Sequence, residues 1–155
     1  MKHMVDIEVV IDETCTDPKV TIHTNARSAR VDNIIEAVEK AAGSEFPMIP
    51  GNDGENMELI SQRDIIRVYT EGRKIIICTE DKVYTAGRTL SGLEEMLNSD
   101  RFLRISQSEI INLYKVKCFD INTAGTIGIV FENGDRTWVA RSKVKAIKDM
   151  IKKSI

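Results

Sequence analysis

Near the C-terminal end, Thr126-Ile127-Gly128-Ile129-Val130-Phe131-Glu132 and Arg136-Thr137-Trp138-Val139-Ala140 flank the pair Asn133-Gly134. No other stretch restricts the fold as sharply. Asn and Gly both accept positive φ, which the two central residues of a type I′ turn need, so a tight β-hairpin is expected here.

From Met57 onward, further short apolar runs follow one another closely. Met57-Glu58-Leu59-Ile60 reads as a short edge strand. Ile65-Ile66-Arg67-Val68-Tyr69-Thr70 reads as another, ended by Glu71-Gly72. Lys74-Ile75-Ile76-Ile77-Cys78-Thr79 and Lys82-Val83-Tyr84-Thr85-Ala86 flank Glu80-Asp81 as the arms of a hairpin,. Phe102-Leu103-Arg104-Ile105 and Ile110-Ile111-Asn112-Leu113 bracket the polar turn Ser106-Gln107-Ser108-Glu109. Ser91-Gly92-Leu93-Glu94 has the capping-box pattern and opens a short helix with Leu90, Leu93, Met96 and Leu97 as its stripe. Ser142 is the expected N-cap of a last helix with Val144, Ile147, Met150 and Ile151 on one stripe. Lys143, Lys145, Lys148, Lys152 and Lys153 lie on its other faces,.

The N-terminal part is patterned differently. Residues 5–11 alternate apolar and charged, as a half-buried strand does, and residues 20–24 read as a second strand after a long loop. Asp32 is the expected N-cap of a helix carrying Ile34, Ile35, Val38, Ala41 and Ala42, with Gly43 as its stop. Residues 46–54 are rich in Pro, Gly, Asn and Asp and form the expected internal boundary. The expected organisation is a β-β-α leader at 1–56 and a strand-rich domain at 57–155. No apolar run approaches the roughly 20 residues of a membrane helix. The acidic, alternating start does not read as a signal peptide.

Charge is divided unevenly. Residues 1–56 hold 5 basic and 11 acidic groups, a net of −6, and the remaining 17 basic and 13 acidic groups give the rest of the chain +4. That asymmetry suggests a polyanion as partner for the second part; the alternative is that it serves solubility alone. The chain has 3 cysteines, far apart, and 2 histidines, His3 and His23. No disulfide framework and no zinc site is expected, and a reducing cytoplasm is the natural location. No histidine lies in the strand-rich part, so a Ser-His-Asp or Cys-His constellation is excluded there. Neither phosphate-binding glycine motif is present. A pair of acid–base carboxylates is not excluded, but solvated turns account better for the acidic residues. Neither catalysis nor a cofactor is expected.

Binding is the better reading. Arg73 and Lys74 follow Gly72, Gln107 and Ser108 occupy the mid-chain turn, and Arg141 and Lys143 stand where the last helix starts. Turns on a strand scaffold can carry such groups without disturbing a core. Arg offers guanine a fork, and Gln can pair bidentately with adenine. Ser142 and the N–H groups of the helix start suit a phosphate.

Four segments together resemble one family. They are Asp64-Ile65-Ile66-Arg67-Val68-Tyr69-Thr70-Glu71-Gly72-Arg73, Leu90-Ser91-Gly92-Leu93-Glu94-Glu95-Met96-Leu97, the stretch Phe102-Leu103-Arg104-Ile105-Ser106-Gln107-Ser108-Glu109-Ile110-Ile111-Asn112-Leu113, and Phe131-Glu132-Asn133-Gly134 with Val139-Ala140-Arg141-Ser142. Their order and spacing are similar to the LytTR DNA-binding domain, the effector domain of many bacterial response regulators. The resemblance implies an α+β, mostly β fold of small packed antiparallel sheets. It also implies that loops between strands read duplex DNA, without a recognition helix. Arg73, Gln107 and Arg141 match the family's base-contacting positions, and Lys74, Arg104, Ser108, Ser142 and Lys143 would sit near phosphates.

The match has departures. Family members often carry His, then Arg or Lys, then Ser, then an aromatic in the mid-chain turn, where this chain has Ser106-Gln107-Ser108-Glu109. Ala140 stands in place of a frequent Ser. A receiver domain needs about 120 residues, and 56 precede the match, so the chain resembles the short stand-alone regulators of this family. The leader would complete the core, pair with a second copy, or dock an upstream sensor protein. The expectation is a cytoplasmic bacterial transcription regulator that does not insert into membranes. The rival is a LytTR-like antagonist that binds protein instead of DNA, a reading fed by Ser106 and by the negative charge of Glu109.

Overall fold

The computed structural model describes residues 4–42 and 46–153. The chain divides into two compact units between residues 44 and 45. The first contains the helix α1 (Ala29–Ala41). Its N-cap is Ser28 and not Asp32, because the Ser28 hydroxyl reaches the Val31 N–H at 3.3 Å,. Asp32 lies inside the first turn, where the helix dipole favours a carboxylate, and accepts from Arg27 Nε at 2.9 Å. Gly43, the expected stop, lies outside the described residues. The two leader strands expected at 5–11 and 20–24 are not formed: residues 4–28 contain no strand. Ile7, Val9, Val10 and Ile11 are all exposed. Alternation alone cannot make a strand without a neighbouring ladder, and an isolated hairpin is marginal in water.

The second unit starts with β1 (Ile49–Asn52), inside the Pro-Gly-rich segment read as a boundary. β1 pairs antiparallel with β2 (Met57–Ile60), Pro50 opposite Leu59. Gly51 meets a steric demand. A Cβ there would lie 2.5 Å from Ile60 Cδ1 and 2.9 Å from Tyr84 Cβ. The glycine marks a close approach within a sheet, not a break in the chain.

β3 (Ile65–Glu71), β4 (Lys74–Thr79) and β5 (Val83–Ala86) form on the expected apolar runs. The helix α2 (Leu90–Met96) is capped by Thr89, whose hydroxyl accepts the Gly92 N–H at 3.0 Å, so Ser91 lies inside the helix. β6 (Phe102–Ser106), β7 (Glu109–Asn112) and β8 (Val116–Ile121) follow. The sequence signal for β8 was weak because none of its residues is fully buried. β9 (Ile127–Phe131), β10 (Arg136–Trp138) and the helix α3 (Arg141–Lys153) complete the unit.

The Asn133-Gly134 hairpin is present, but its turn is not type I′. Gly134 N–H donates to the Phe131 carbonyl, and Phe131 N–H to the Asp135 carbonyl, both at 2.9 Å. Gly134 has φ 94°, whereas no non-glycine among the described residues has positive φ. The loop is therefore a longer one, with glycine at its bulge position. Asn133 contributes through its side chain, whose Oδ1 accepts the Asp135 N–H at 2.9 Å.

Two antiparallel sheets result. One has seven strands in the order β2-β1-β5-β4-β3-β7-β6, the other three in the order β10-β9-β8. The first sheet is covered on both faces. Ile65, Val68, Ile77 and Ile110 pack with Leu90, Leu93 and Leu97 of the α2 side. Ile66, Ile105 and Ile111 pack with Ile127, Ile129 and Phe131 of the second sheet and Ile147 of α3. Neighbouring residues such as Ile110 and Ile111 thus enter opposite cores, which explains unbroken apolar runs in the central strands. A buried Ile of this kind stabilises by about 1.5–3 kcal/mol. Among the described residues, no helix is long and apolar enough to cross a membrane.

Candidate nucleic-acid interface

Backbone hydrogen bonds carry the three turns singled out by sequence to one end of the sheets. β3 and β7 are antiparallel neighbours, with Tyr69 opposite Glu109. Thr70 N–H at the end of β3 donates to the Ser108 carbonyl at 2.9 Å. The β3–β4 turn and the β6–β7 turn therefore lie side by side. Ala140 N–H donates to the Ile105 carbonyl at 2.9 Å, which anchors the start of α3 beside the same β6–β7 turn.

At the first turn, Glu71 pairs with Lys74 across two residues, Gly72 and Arg73. Gly72 takes φ 62°, which leaves Arg73 in ordinary backbone geometry at the second central position,. Arg73 and Lys74 are both exposed. At the second turn, Gln107 and Ser108 are exposed. At the third, Arg141, Ser142 and Lys143 are exposed. Ser142 is not the N-cap of α3: the helix begins at Arg141, and Lys143 N–H already bonds the Ala140 carbonyl at 2.9 Å. The bond from Ala140 to Ile105 fixes where the strand direction ends, and the helix starts at once.

Arg104 stands apart from the other candidates because its guanidinium is engaged. Nε donates to the Ser106 carbonyl at 2.8 Å and Nη2 to the Gln107 carbonyl at 2.6 Å. Nη1 reaches Glu94 Oε1 of α2 at 3.4 Å. Arg104 thus staples the β6–β7 turn. Ser106 Oγ accepts the Ser108 N–H at 3.1 Å and closes the turn from the other side. Gln107 is presented on a rigid loop, and its side chain makes no hydrogen bond among the described residues.

Sequence reasoning placed Glu109 near the surface. The fold puts it inside, 8% exposed. Its Oε2 accepts from Arg67 Nη1 at 3.1 Å, and its Oε1 from the Thr137 hydroxyl at 2.6 Å. Arg67 lies on β3 and Thr137 on β10, so this carboxylate joins the two sheets directly beneath the Gln107 turn. The Arg67 guanidinium sits 4.6 Å from the centre of the Tyr69 ring and 6.0 Å from that of Phe131. Burial works against the Arg67 charge, but the Glu109 hydrogen bond and charge outweigh it and hold its pKa above the ordinary value,. A signal for this pair was present in the sequence. Arg67 interrupts the Ile-rich run of β3 and Glu109 opens that of β7, and on adjacent strands they become diagonal neighbours,.

With three exposed turns at one end and a rigid base beneath them, the arrangement suits contact with the edge of a polymer, not enclosure of a small molecule. The comparisons agree. The LytTr DNA-binding domain model matches residues 55–152, more than half of the chain. The chain belongs to this family. The LytTr fold is seen again in a solved LytTr DNA-binding domain from Bacillus cereus, at TM-score 0.64 and 19% identity over 68% of this chain and 96% of that one. Among proteins, it is 26% identical over 133 residues to the sensory transduction protein LytT of Enterococcus faecalis. That match takes in 79% of this chain and 55% of the relative, so the chain spans about half of that protein's length. It is also 24% identical over 148 residues to an uncharacterised HTH-type transcriptional regulator of Staphylococcus aureus, covering 96% of this chain and 99% of the relative. The mostly β LytTr fold expected from the sequence is the fold observed.

Proposed function

We propose that this LytTr protein is a cytoplasmic, non-catalytic transcription regulator that reads duplex DNA with its three clustered turns. The observation that carries the reading is the convergence of Arg73, Gln107 and Arg141 at one end of the sheets, each exposed on a backbone held by hydrogen bonds. Arg73 and Arg141 suit guanine and Gln107 suits adenine in the major groove. Lys74, Ser108, Ser142 and Lys143 lie beside them in sequence and suit phosphate oxygens. Arg104 has a second role beyond charge near phosphates, as the staple of the Gln107 turn. Pairing with a second copy and docking of an upstream sensor remain the two partner roles assigned to the acidic leader.

The antagonist reading loses its main support, because the negative charge of Glu109 is neutralised inside the protein. A mobility-shift assay with the protein's own upstream region, against a scrambled duplex, separates the two readings. A specific shift that weakens steeply with salt is expected, since phosphate neutralisation releases counterions. A shift on neither duplex, or a binding constant indifferent to salt, refutes DNA reading. Arg141→Ala is expected to cost about 1–3 kcal/mol on the specific duplex and to relax one base position. Lys143→Ala should weaken both duplexes alike.

A further inference from the structure

Starting from the base-reading Arg141, the helix α3 carries a row of cations whose later members neither the turns nor the core explains. Arg141, Lys145, Lys148 and Lys152 fall at spacings of four, three and four residues, so they share one flank of the helix,. That flank adjoins the apolar stripe of Val144, Ile147 and Ile151, which packs on the second core. It forms one wall of a groove of about 650 Å³, and Ala124, Gly125 and Thr126 of the β8–β9 turn form the other. One acid, Asp149, lines the same groove.

The start of the row is electrostatically unfavourable for the isolated protein, whereas Lys152 in the last turn suits the helix dipole and Asp149 lies four residues after Lys145,. Among the described residues, none of the four cations forms an ion pair, while like charges at these spacings repel. The first turn of α3 holds no acid. Arg141 and Lys143 there oppose the helix dipole, whose positive end prefers an anion. No side chain among the described residues caps the helix N-terminus. A helix with this charge order is stabilised by a polyanion laid along it, and a small anion would meet only one or two of the four.

We propose that this groove is a track for the DNA phosphate backbone, extending the contact surface from Arg141 along the whole of α3. The proposal rests on the DNA-reading function and adds a surface to it. From Arg141 to Lys152 the helix rises about 16 Å at 1.5 Å per residue, long enough to meet two or three successive phosphates. Beyond Arg141 the track carries no base information. It raises affinity for every sequence and makes the complex more sensitive to salt.

The test compares the full chain with K145Q/K148Q/K152Q, which leaves Arg141 in place. Binding to a duplex of arbitrary sequence is measured as a function of salt. The slope of log affinity against log salt is expected to fall by about 2–3, at roughly 0.9 for each phosphate that the protein no longer neutralises. The ratio of specific to non-specific affinity should stay the same. Thermal melting in low salt without DNA is the second arm. The variant should melt close to the wild type, because the relieved repulsion is opposed by the loss of Lys152 at the helix C-terminus and of the cations near Asp149,. An unchanged salt slope shows a solvated flank and overturns the proposal while DNA reading stands. A variant that melts well below wild type shows that the lysines are held by the fold, which also overturns it. A wild type that binds no duplex at all overturns both readings together.

Discussion

Removing the Glu109 carboxylate should be among the most damaging single changes outside the apolar cores. In Glu109→Ala, Arg67 loses its partner at 3.1 Å while its side chain stays only 19% exposed. Arg67 Nε already has no hydrogen-bond partner. Two charges about 3–4 Å apart attract by roughly 4–5 kcal/mol at an effective dielectric of 20, much of it offset by desolvation. Breaking such a pair from one side typically costs about 3–5 kcal/mol, since a charge is left buried and unpaired. The aromatic faces of Tyr69 and Phe131 retain a part, about 0.5–2 kcal/mol for a cation over a ring,. The expected loss is therefore about 3 kcal/mol, a large share of a domain's usual total of about 5–15 kcal/mol. The double replacement Arg67→Met with Glu109→Leu removes both charges, leaves the Thr137 hydroxyl without its Glu109 acceptor, and should fall within about 1–2 kcal/mol of wild type. Urea denaturation of the wild type, both single variants and the double variant measures the cycle. A cost below about 1 kcal/mol for Glu109→Ala, or a double variant as unstable as the singles, would refute the reasoning. Added salt should alter the wild-type value little, because a buried pair is weakly screened.

Other expectations follow from individual contacts. Gly134→Ala should cost about 1 kcal/mol or more in thermal melting because its φ of 94° is unfavourable for a side chain,, whereas the corresponding change at Asn133 removes two exposed side-chain hydrogen bonds to Asp135 and strains no backbone. Asn112 is fully buried, donates to the Ile65 carbonyl and accepts the Tyr114 N–H. Asn112→Leu should destabilise by about 1–3 kcal/mol through the groups it leaves unsatisfied. Glu58 is held below the ordinary carboxylate range by hydrogen bonds from Lys82 and Tyr84, and Asp53 by the N–H groups of Asn56 and Glu55. Their folded pKa values are depressed, so their contribution is complete above the unfolded pKa and is lost as pH falls through about 4 and below. Melting temperatures across that range should fall less steeply for Glu58→Gln than for wild type. Burial pushes the Cys78 thiol above its ordinary pKa, while Cys15 and Cys118 are exposed. A thiol titration of the native protein should show two fast cysteines and one slow one, and three fast ones would contradict the burial.

What the sequence determined by itself was local. The apolar runs of β3, β4, β6, β7 and β9 were readable because an Ile-rich stretch bounded by polar turns has few alternatives. The family was readable because four such stretches keep a fixed order and spacing, and Arg73, Gln107 and Arg141 were identifiable as turn residues for the same reason. Tertiary structure decided everything that needs a partner distant in sequence. Residues 5–11 alternate as well as any strand in the chain but find no ladder, while Pro50 and Gly51 lie in a strand because β2 and β5 flank them. Ser28 and Thr89 cap their helices because their oxygens reach an N–H, which composition alone could not rank above Asp32 or Ser91. Glu109 looked like surface charge because its sequence neighbours are polar. Arg67 and Thr137 make it interior, from 42 residues before it and 28 after it. The sequence supplied groups able to read DNA. Pairing of β3 with β7 and the bond from Ala140 to Ile105 brought them together, because only hydrogen bonds between distant strands fix where one turn lies relative to another.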